Sequence, residues 1–223
     1  MKTKFISLLA LAITFTSVIS CKGEKKNETE ATAPEEVVAP APVASSYTVD
    51  AGASLIDWIG KKPTENHTGT LKLSTGSIQT VDDKIQSGSF TIDMNSINVT
   101  DLEGDKKAGL EGHLKGEGEG KEDHFFNVAK FPTATFEMTG VSEKEGKTFI
   151  EGNLTLKGIT KNISFPASIT TSAEEVKLES EAFNIDRTQW GVNYKSKSVL
   201  ENLGDKFILD DIELKISVVA KKA

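Results

Sequence analysis

The 223-residue chain has a single cysteine, Cys21, so no disulfide can form within it and no CxxC pair is available to hold a metal. Histidine is nearly as scarce. His67, His113 and His124 make no HxxxH motif, whereas zinc takes three or four nitrogen or sulfur ligands at workable spacing, so structural or surface roles are the simpler reading. Positive charge is also short. Lys and Arg number 26 against 33 Asp and Glu, a net charge of −7, and no Lys/Arg cluster is present to meet a phosphate backbone. That balance argues against a nucleic-acid partner and offers nothing to anionic lipid headgroups. No GxSxG elbow occurs. Asp101, Glu103 and Asp105 begin like a calcium loop, but Lys106 and Gly112 occupy its sixth and twelfth positions, where glycine and glutamate are needed. GEGEG, residues 116–120, is no phosphate cradle, because Glu117 and Glu119 would repel the anion. Acid pairs such as Asp82-Asp83 and Asp210-Asp211 suit turns or a solvated face.

What is present begins with the N-terminus. Lys2 and Lys4 precede an apolar stretch from Phe5 to Ile19, shorter than a membrane span and diluted by Ser7, Thr14, Thr16 and Ser17. Small Ser20 then stands directly before Cys21. This is the layout of a secretory signal, so residues 1–20 are expected to be removed. Val18-Ile19-Ser20-Cys21 resembles the lipobox of bacterial lipoproteins, in which the cysteine is lipidated and becomes the mature N-terminus. The expectation is an exported protein of the periplasm or cell envelope, held to a membrane through lipidated Cys21; the plainer alternative is a signal peptide with an incidental cysteine. Residues 21–46, rich in Ala, Pro, Glu, Lys, Ser and Thr and without an aromatic, read as the lipidated cysteine followed by a disordered tether.

From residue 47 to 223 short apolar and polar alternations take over. Phe90, Ile92 and Met94 share one face of SFTIDMNSINV, and the period of two predicts a half-buried strand. Leu71 and Leu73, Leu154 and Leu156, Ile163 and Phe165, and Ile212 to Val218 repeat the pattern. STGS, VDDK, EKEGK and LKGITKN read as the intervening turns. DLEGDKKAGLEGHLK has room for a short helix, and the glycines from 109 to 120 predict a mobile crossover or lid. About eight strands in one domain, without disulfides, predict an all-β fold, a closed antiparallel barrel or a sandwich. Ile56, Trp58, Leu71, Leu73, Phe90, Ile92, Phe136, Leu154 and Ile163 are the inward candidates.

Two stretches ask for more. HFFNVAKFPTATFEM, residues 124–138, is dense in phenylalanine. FNIDRTQWGVNY, residues 183–194, places Asp186 and Arg187 inside an apolar strand. A buried arginine needs a carboxylate, so Arg187 is expected in an ion pair closing one end of the barrel, the other reading being a ligand headgroup contact.

These stretches, together with YTVDAGASLIDW, EGNLTLKGITKN and FILDDIELKISV, resemble the YceI-like family across nearly all of residues 47–220. A GEGEGKED insert separates His113-Leu114-Lys115 from His124-Phe125-Phe126. The resemblance implies an extended eight-stranded antiparallel lipocalin-like barrel, with a short helix or irregular lid, around a long isoprenoid or other amphiphilic lipid. It adds Met94, Phe125, Phe126, Leu156, Phe165 and Trp190 to the expected lining, with Asp186 and Arg187 at the polar end. No catalytic residue, metal or cofactor is expected beyond a bound isoprenoid lipid, and a homodimer is compatible with the sequence. The competing readings are an enzyme or isomerase working inside such a barrel, with Asp186, Arg187 or a histidine as its polar group, and a structural barrel with a filled core.

Overall fold

In the computed structural model the described residues are 28–39, 41, 42 and 44–223. The expected signal and Cys21 lie outside them. Among these residues the strands are β1 (Ser45–Val49), β2 (Leu55–Lys61), β3 (Asn66–Val81), β4 (Lys84–Val99), β5 (Thr133–Lys144), β6 (Lys147–Leu156), β7 (Ile159–Thr171), β8 (Glu175–Ser180), β9 (Phe183–Asp186) and β10 (Asp211–Lys222), with an α-helix, α1 (Gly104–Lys115), between β4 and β5. Three two-residue turns set much of the register. Asp82-Asp83, Glu145-Gly146 and Lys157-Gly158 take positive φ at both positions, the type I′ form whose twist suits the strands it joins. Three of the expected turn signals therefore sit where the chain reverses.

The ladder is antiparallel throughout, in the order β1-β10-β2-β3-β4-β5-β6-β7-β8, and it closes because β10 also pairs with β8 and β9. β10 carries β2 and then β1 along one edge, and β9 and then β8 along the other. Ten strands thus fill eight positions of a ring, the predicted eight-stranded architecture with two positions split. Each split would orphan a backbone group of β10, and a buried serine meets it. Ser54 Oγ donates to the Val219 carbonyl and accepts from the Val219 N–H, while Ser180 Oγ accepts from the Ile216 N–H.

Three expectations need correction. STGS is no turn: residues 74–77 run inside β3, with a register shift beside Thr75. The sequence signal misled because Gly76 is there for a close approach. A side chain on it would press on the Ser89 carbonyl, Val49 and the Phe90 ring. Residues 109–115, expected to be irregular, are the second half of α1, which ends at Gly116 in the left-handed region. The helix buries no residue fully. Polar contacts tie it to the end of β4: Glu111 accepts from the Val99 N–H, and Lys107 donates to Asn98 Oδ1 and the Val99 carbonyl.

The third concerns the expected tether. Residues 28–36 are seated on the ring between β7 and β9. Thr29 N–H donates to the Asn184 carbonyl at 2.8 Å, and Thr32 and Asn162 exchange a backbone pair at 2.9 and 3.1 Å. The Asn153 side chain brackets Glu35, accepting from its N–H and donating to its carbonyl. Low hydrophobicity alone pointed to disorder, but a single added strand needs little apolar surface when backbone partners are waiting. NETEATA also carries a faint period of two: Thr29 is buried and Ala31 half-buried, while Glu28, Glu30 and Thr32 face outward.

Candidate functional site

Inside the ring the pleat sends alternate residues inward, and they enclose two adjoining apolar chambers. The larger, about 140 Å³, lies toward α1 and is lined by Trp58, Leu71, Met94, Phe125, Phe126 and Leu156 among others. The smaller, about 80 Å³, is lined by Leu73, Phe90, Phe136, Ile163 and Phe165. Ile56, Ile92, Leu154 and Leu214 line both, forming a waist between them. At the smaller end four rings follow one another: Phe90 and Phe136 at 6.3 Å, Phe136 and Phe165 at 5.7 Å, and Phe165 stacked on Phe183 at 4.6 Å. Every expected lining residue except Trp190 faces one of these chambers. The first chamber alone is about the size of an engineered cavity that admits benzene, so a longer chain would thread the waist by turning side chains aside.

Trp190 is the exception. It is fully buried, but it packs behind the wall, its indole N–H donating to the Leu154 carbonyl at 3.1 Å. A buried tryptophan needs such a partner, and that partner fixes it in the core rather than in the lumen. Asp186 is likewise absent from the lining. Its carboxylate caps the turn Arg187–Trp190, accepting from the Thr188 N–H and hydroxyl and from Gln189 Nε2.

Arg187 borders the larger chamber, and each of its three side-chain nitrogens already has a protein partner. Its guanidinium donates to the carbonyls of Leu209, Val192 and Ile208, and Nη2 stands 3.5 Å from Asp210. Burial pushes its pKa below the ordinary arginine value, and Asp210 and Asp186 act against that shift. The expected ion pair is present, though the three carbonyls form most of the site. Arg187 is a staple between the 187–192 turn and the segment entering β10.

The polar rim lies elsewhere. Ile208 lines both the larger chamber and a shallow depression bounded by Lys62, Lys195, Lys206 and Asp205. Sequence reasoning missed this rim, since its lysines are spread over more than 140 positions. It also missed Leu114, Ile97, Ile185 and Leu209, which line the chamber from the helix, a strand end, a four-residue strand and a loop. The alternation of Ile212, Leu214, Ile216 and Val218 held the signal for one more lining strand, β10.

Leu114 and Phe125 roof the larger chamber, and the residues before them clasp each other. His113 Nε2 and His124 Nδ1 lie 2.9 Å apart, His124 stacks on Tyr194 at 4.0 Å, and His113 meets Phe125 edge-on. One ring must donate and the other accept, so the pair needs a neutral acceptor. Burial lowers the His113 pKa, and His124, Lys121 and Lys195 lower it further. His67, by contrast, bonds Asp101 on the surface at 2.9 Å. Among the described residues no group of three or more His, Cys, Asp or Glu is placed to hold a metal.

Residues 47–220 match the YceI-like domain. Protein YceI of Salmonella arizonae is 36% identical over 110 residues, covering 48% of this chain and 51% of its own length, so the chain spans about half the length of the curated relatives it matches. Among solved structures, Burkholderia cenocepacia BcnA superposes with a TM-score of 0.60 at 20% identity, over 77% of this chain and 98% of its own. A polyisoprenoid binding domain from Saccharophagus degradans gives 0.55 at 16% identity, over 80% and 99%. Both share the fold.

Two outcomes are expected. Arg187→Ala strands Asp210 and three carbonyls, so it should cost about 3 to 5 kcal/mol in ligand-free protein; denaturant unfolding with unchanged stability would show that the staple does not hold. Below an ordinary histidine pKa of 6.5 the unfolded chain takes up a proton that folded His113 resists. Stability contributed by the clasp is therefore complete above that value and declines as pH falls through the lower folded pKa. Melting temperature followed from pH 7.5 to 5 should fall less steeply in His113→Asn; equal slopes would remove His113 as the cause.

Proposed function

The chain belongs to the YceI-like family, and from that premise we propose that it is an exported, lipid-anchored protein that binds an isoprenoid or other long-chain amphiphile, carrying or sequestering it without covalent chemistry. The observation that carries this reading is the pair of apolar chambers meeting at the waist of Ile56, Ile92, Leu154 and Leu214. Such a lining offers length and greasiness to a ligand: each buried CH2 is worth roughly 0.8 kcal/mol, so an isoprene unit contributes a few kcal/mol before ordering costs. The polyisoprenoid binding domain with this fold adds support by analogy.

An enzyme would need a reactive group facing the substrate. The ionisable residues at the larger chamber are Arg187, whose three side-chain nitrogens each donate to a backbone carbonyl, and Asp211, the first residue of β10. The smaller chamber has none. Binding is therefore the favoured reading over catalysis, and the open volume favours it over a filled structural core.

The anchor and the tunnel are tested separately. Cys21→Ser should move the mature protein from the membrane to the soluble fraction with residues 47–223 still folded; unchanged membrane partition would rule out lipidation. Native mass spectrometry of that soluble form, purified without detergent, should reveal retained long-chain lipid. Ile92 faces both chambers, so Ile92→Ala should cost less than the roughly 2 to 5 kcal/mol of a packed core in the emptied protein, while shifting the stabilisation that lipid provides. A full core penalty, with no lipid retained and none stabilising, would mean that the barrel is filled by its own side chains.

A further inference from the structure

Neighbouring positions of the ring share a ladder, short in the case of β4 and β5, which pair only over Ser89–Asp93 and Thr133–Glu137; β7 and β9 are neighbours that share none. β8 pairs with β7 over Ala167–Thr171 only, and β9 pairs with β10 but not with β7. The first half of β7 and the outer edge of β9 stand apart, and residues 28–36 occupy the gap. They run parallel to β9 at Asn184 and antiparallel to β7 at Asn162. We propose that this seam is the side portal through which a lipid enters the tunnel, and that residues 28–36 are the strip that shuts it.

Four observations converge on the seam. First, its two borders line the tunnel: Ile163 and Phe165 of β7 and Phe183 of β9 face the smaller chamber, and Ile185 of β9 faces the larger. Removing the strip would unseal the smaller chamber between β7 and β9 and reach the larger one at Ile185, so an apolar chain could enter sideways. Entry under α1 would require it to thread the waist end-on. Second, the gap has the right width. A strand between two others holds them two spacings apart, roughly 9.5 Å, and its departure leaves the space of one extended chain.

Third, the strip is separable from the ring. β7 keeps β6 and β9 keeps β10 whether or not it is present. Its attachments include Thr29 to the Asn184 carbonyl and, through its hydroxyl, to the Ser164 carbonyl, the Thr32–Asn162 pair and the Glu35–Asn153 bracket, none of them a continuous ladder of the kind that joins the ring strands. Only Thr29 and Ala31 turn inward, and both are small. The buried Ser164 hydroxyl in this seam finds no hydrogen-bond partner, so the closed state leaves one polar group unsatisfied. Fourth, Cys21 precedes Glu28 by seven positions. Seven residues reach at most about 25 Å, which would keep the seam close to the bilayer if Cys21 carries a lipid. This inference rests on the carrier reading above.

The test pins the strip. Thr32 and Asn162 form a hydrogen-bonded antiparallel pair, whose Cα separation of about 5.5 Å suits a disulfide. In the full chain carrying Cys21→Ser, Thr32→Cys with Asn162→Cys can be compared oxidised and reduced on the same molecule. The readout is uptake of a dansyl-labelled C20 isoprenol from phosphatidylcholine vesicles. Oxidation should slow uptake at least tenfold, with reduction restoring it, and deletion of residues 28–36 should speed uptake beyond the intact chain. Equal uptake by oxidised and reduced forms, or a deletion that leaves the rate unchanged, would place the route elsewhere and overturn the portal while leaving the carrier reading intact. No uptake by any form would overturn the carrier reading and the portal with it.

Discussion

The structure depends on closure through β10. A ring of strands has no exposed edge, but here the closing strand has twelve residues and its neighbours have four to seven. Each edge of β10 must therefore be covered by two strands in tandem, and each tandem leaves a break. Ser54 and Ser180 make the breaks tolerable by giving the orphaned β10 backbone groups a hydroxyl in place of a ladder partner. Substitution of either by an apolar residue would leave a buried amide unmet, a cost out of proportion to the size of the side chain.

The lumen follows from that closure. The inward residues Ile56, Ile92, Leu154 and Leu214 border both chambers and divide the lumen between them. Elsewhere large rings take up the space, and the backbone makes way for them. Trp58 lies across Gly69, its register partner on β3, so closely that any side chain there would collide with the indole and with the Asn98 carbonyl. The near end is sealed differently. Arg187 gathers three carbonyls into one guanidinium, and the His113–His124 clasp holds the helix to the following loop. Apolar packing thus shapes the far chamber, while polar contacts sensitive to protonation hold the roof of the near one.

The break between β8 and β9 has a second consequence. β9 leaves the neighbourhood of β7, and the sheet edge so exposed would invite pairing with another chain. The chain's own residues 28–36 cover it. Asn153 and Asn162, opposite each other on β6 and β7, are buried by this cover and join through an amide contact of 3.1 Å, with Thr139 accepting from Asn162. Two buried amides outside the core are otherwise costly; here they are the receptor for a strand.

Alternation at a period of two, present in nearly every segment after residue 47, was enough to determine an all-β body and the inward faces of β3, β4, β6 and β7, because side-chain direction in a strand is dictated locally. The paired turns at 82–83, 145–146 and 157–158 were legible for the same reason. What only the tertiary structure decided depends on which strand lies beside which. Gly76 looks like a turn until Val49 and Phe90 are seen against it, and Trp190 looks like lining until its indole finds the Leu154 carbonyl. Arg187 reads in the sequence as half of an ion pair, and only the fold shows the carbonyls of Val192, Ile208 and Leu209 that take most of its guanidinium. Residues 28–36 look like tether until a split in the ring, more than 120 positions away, supplies the backbone partners that hold them.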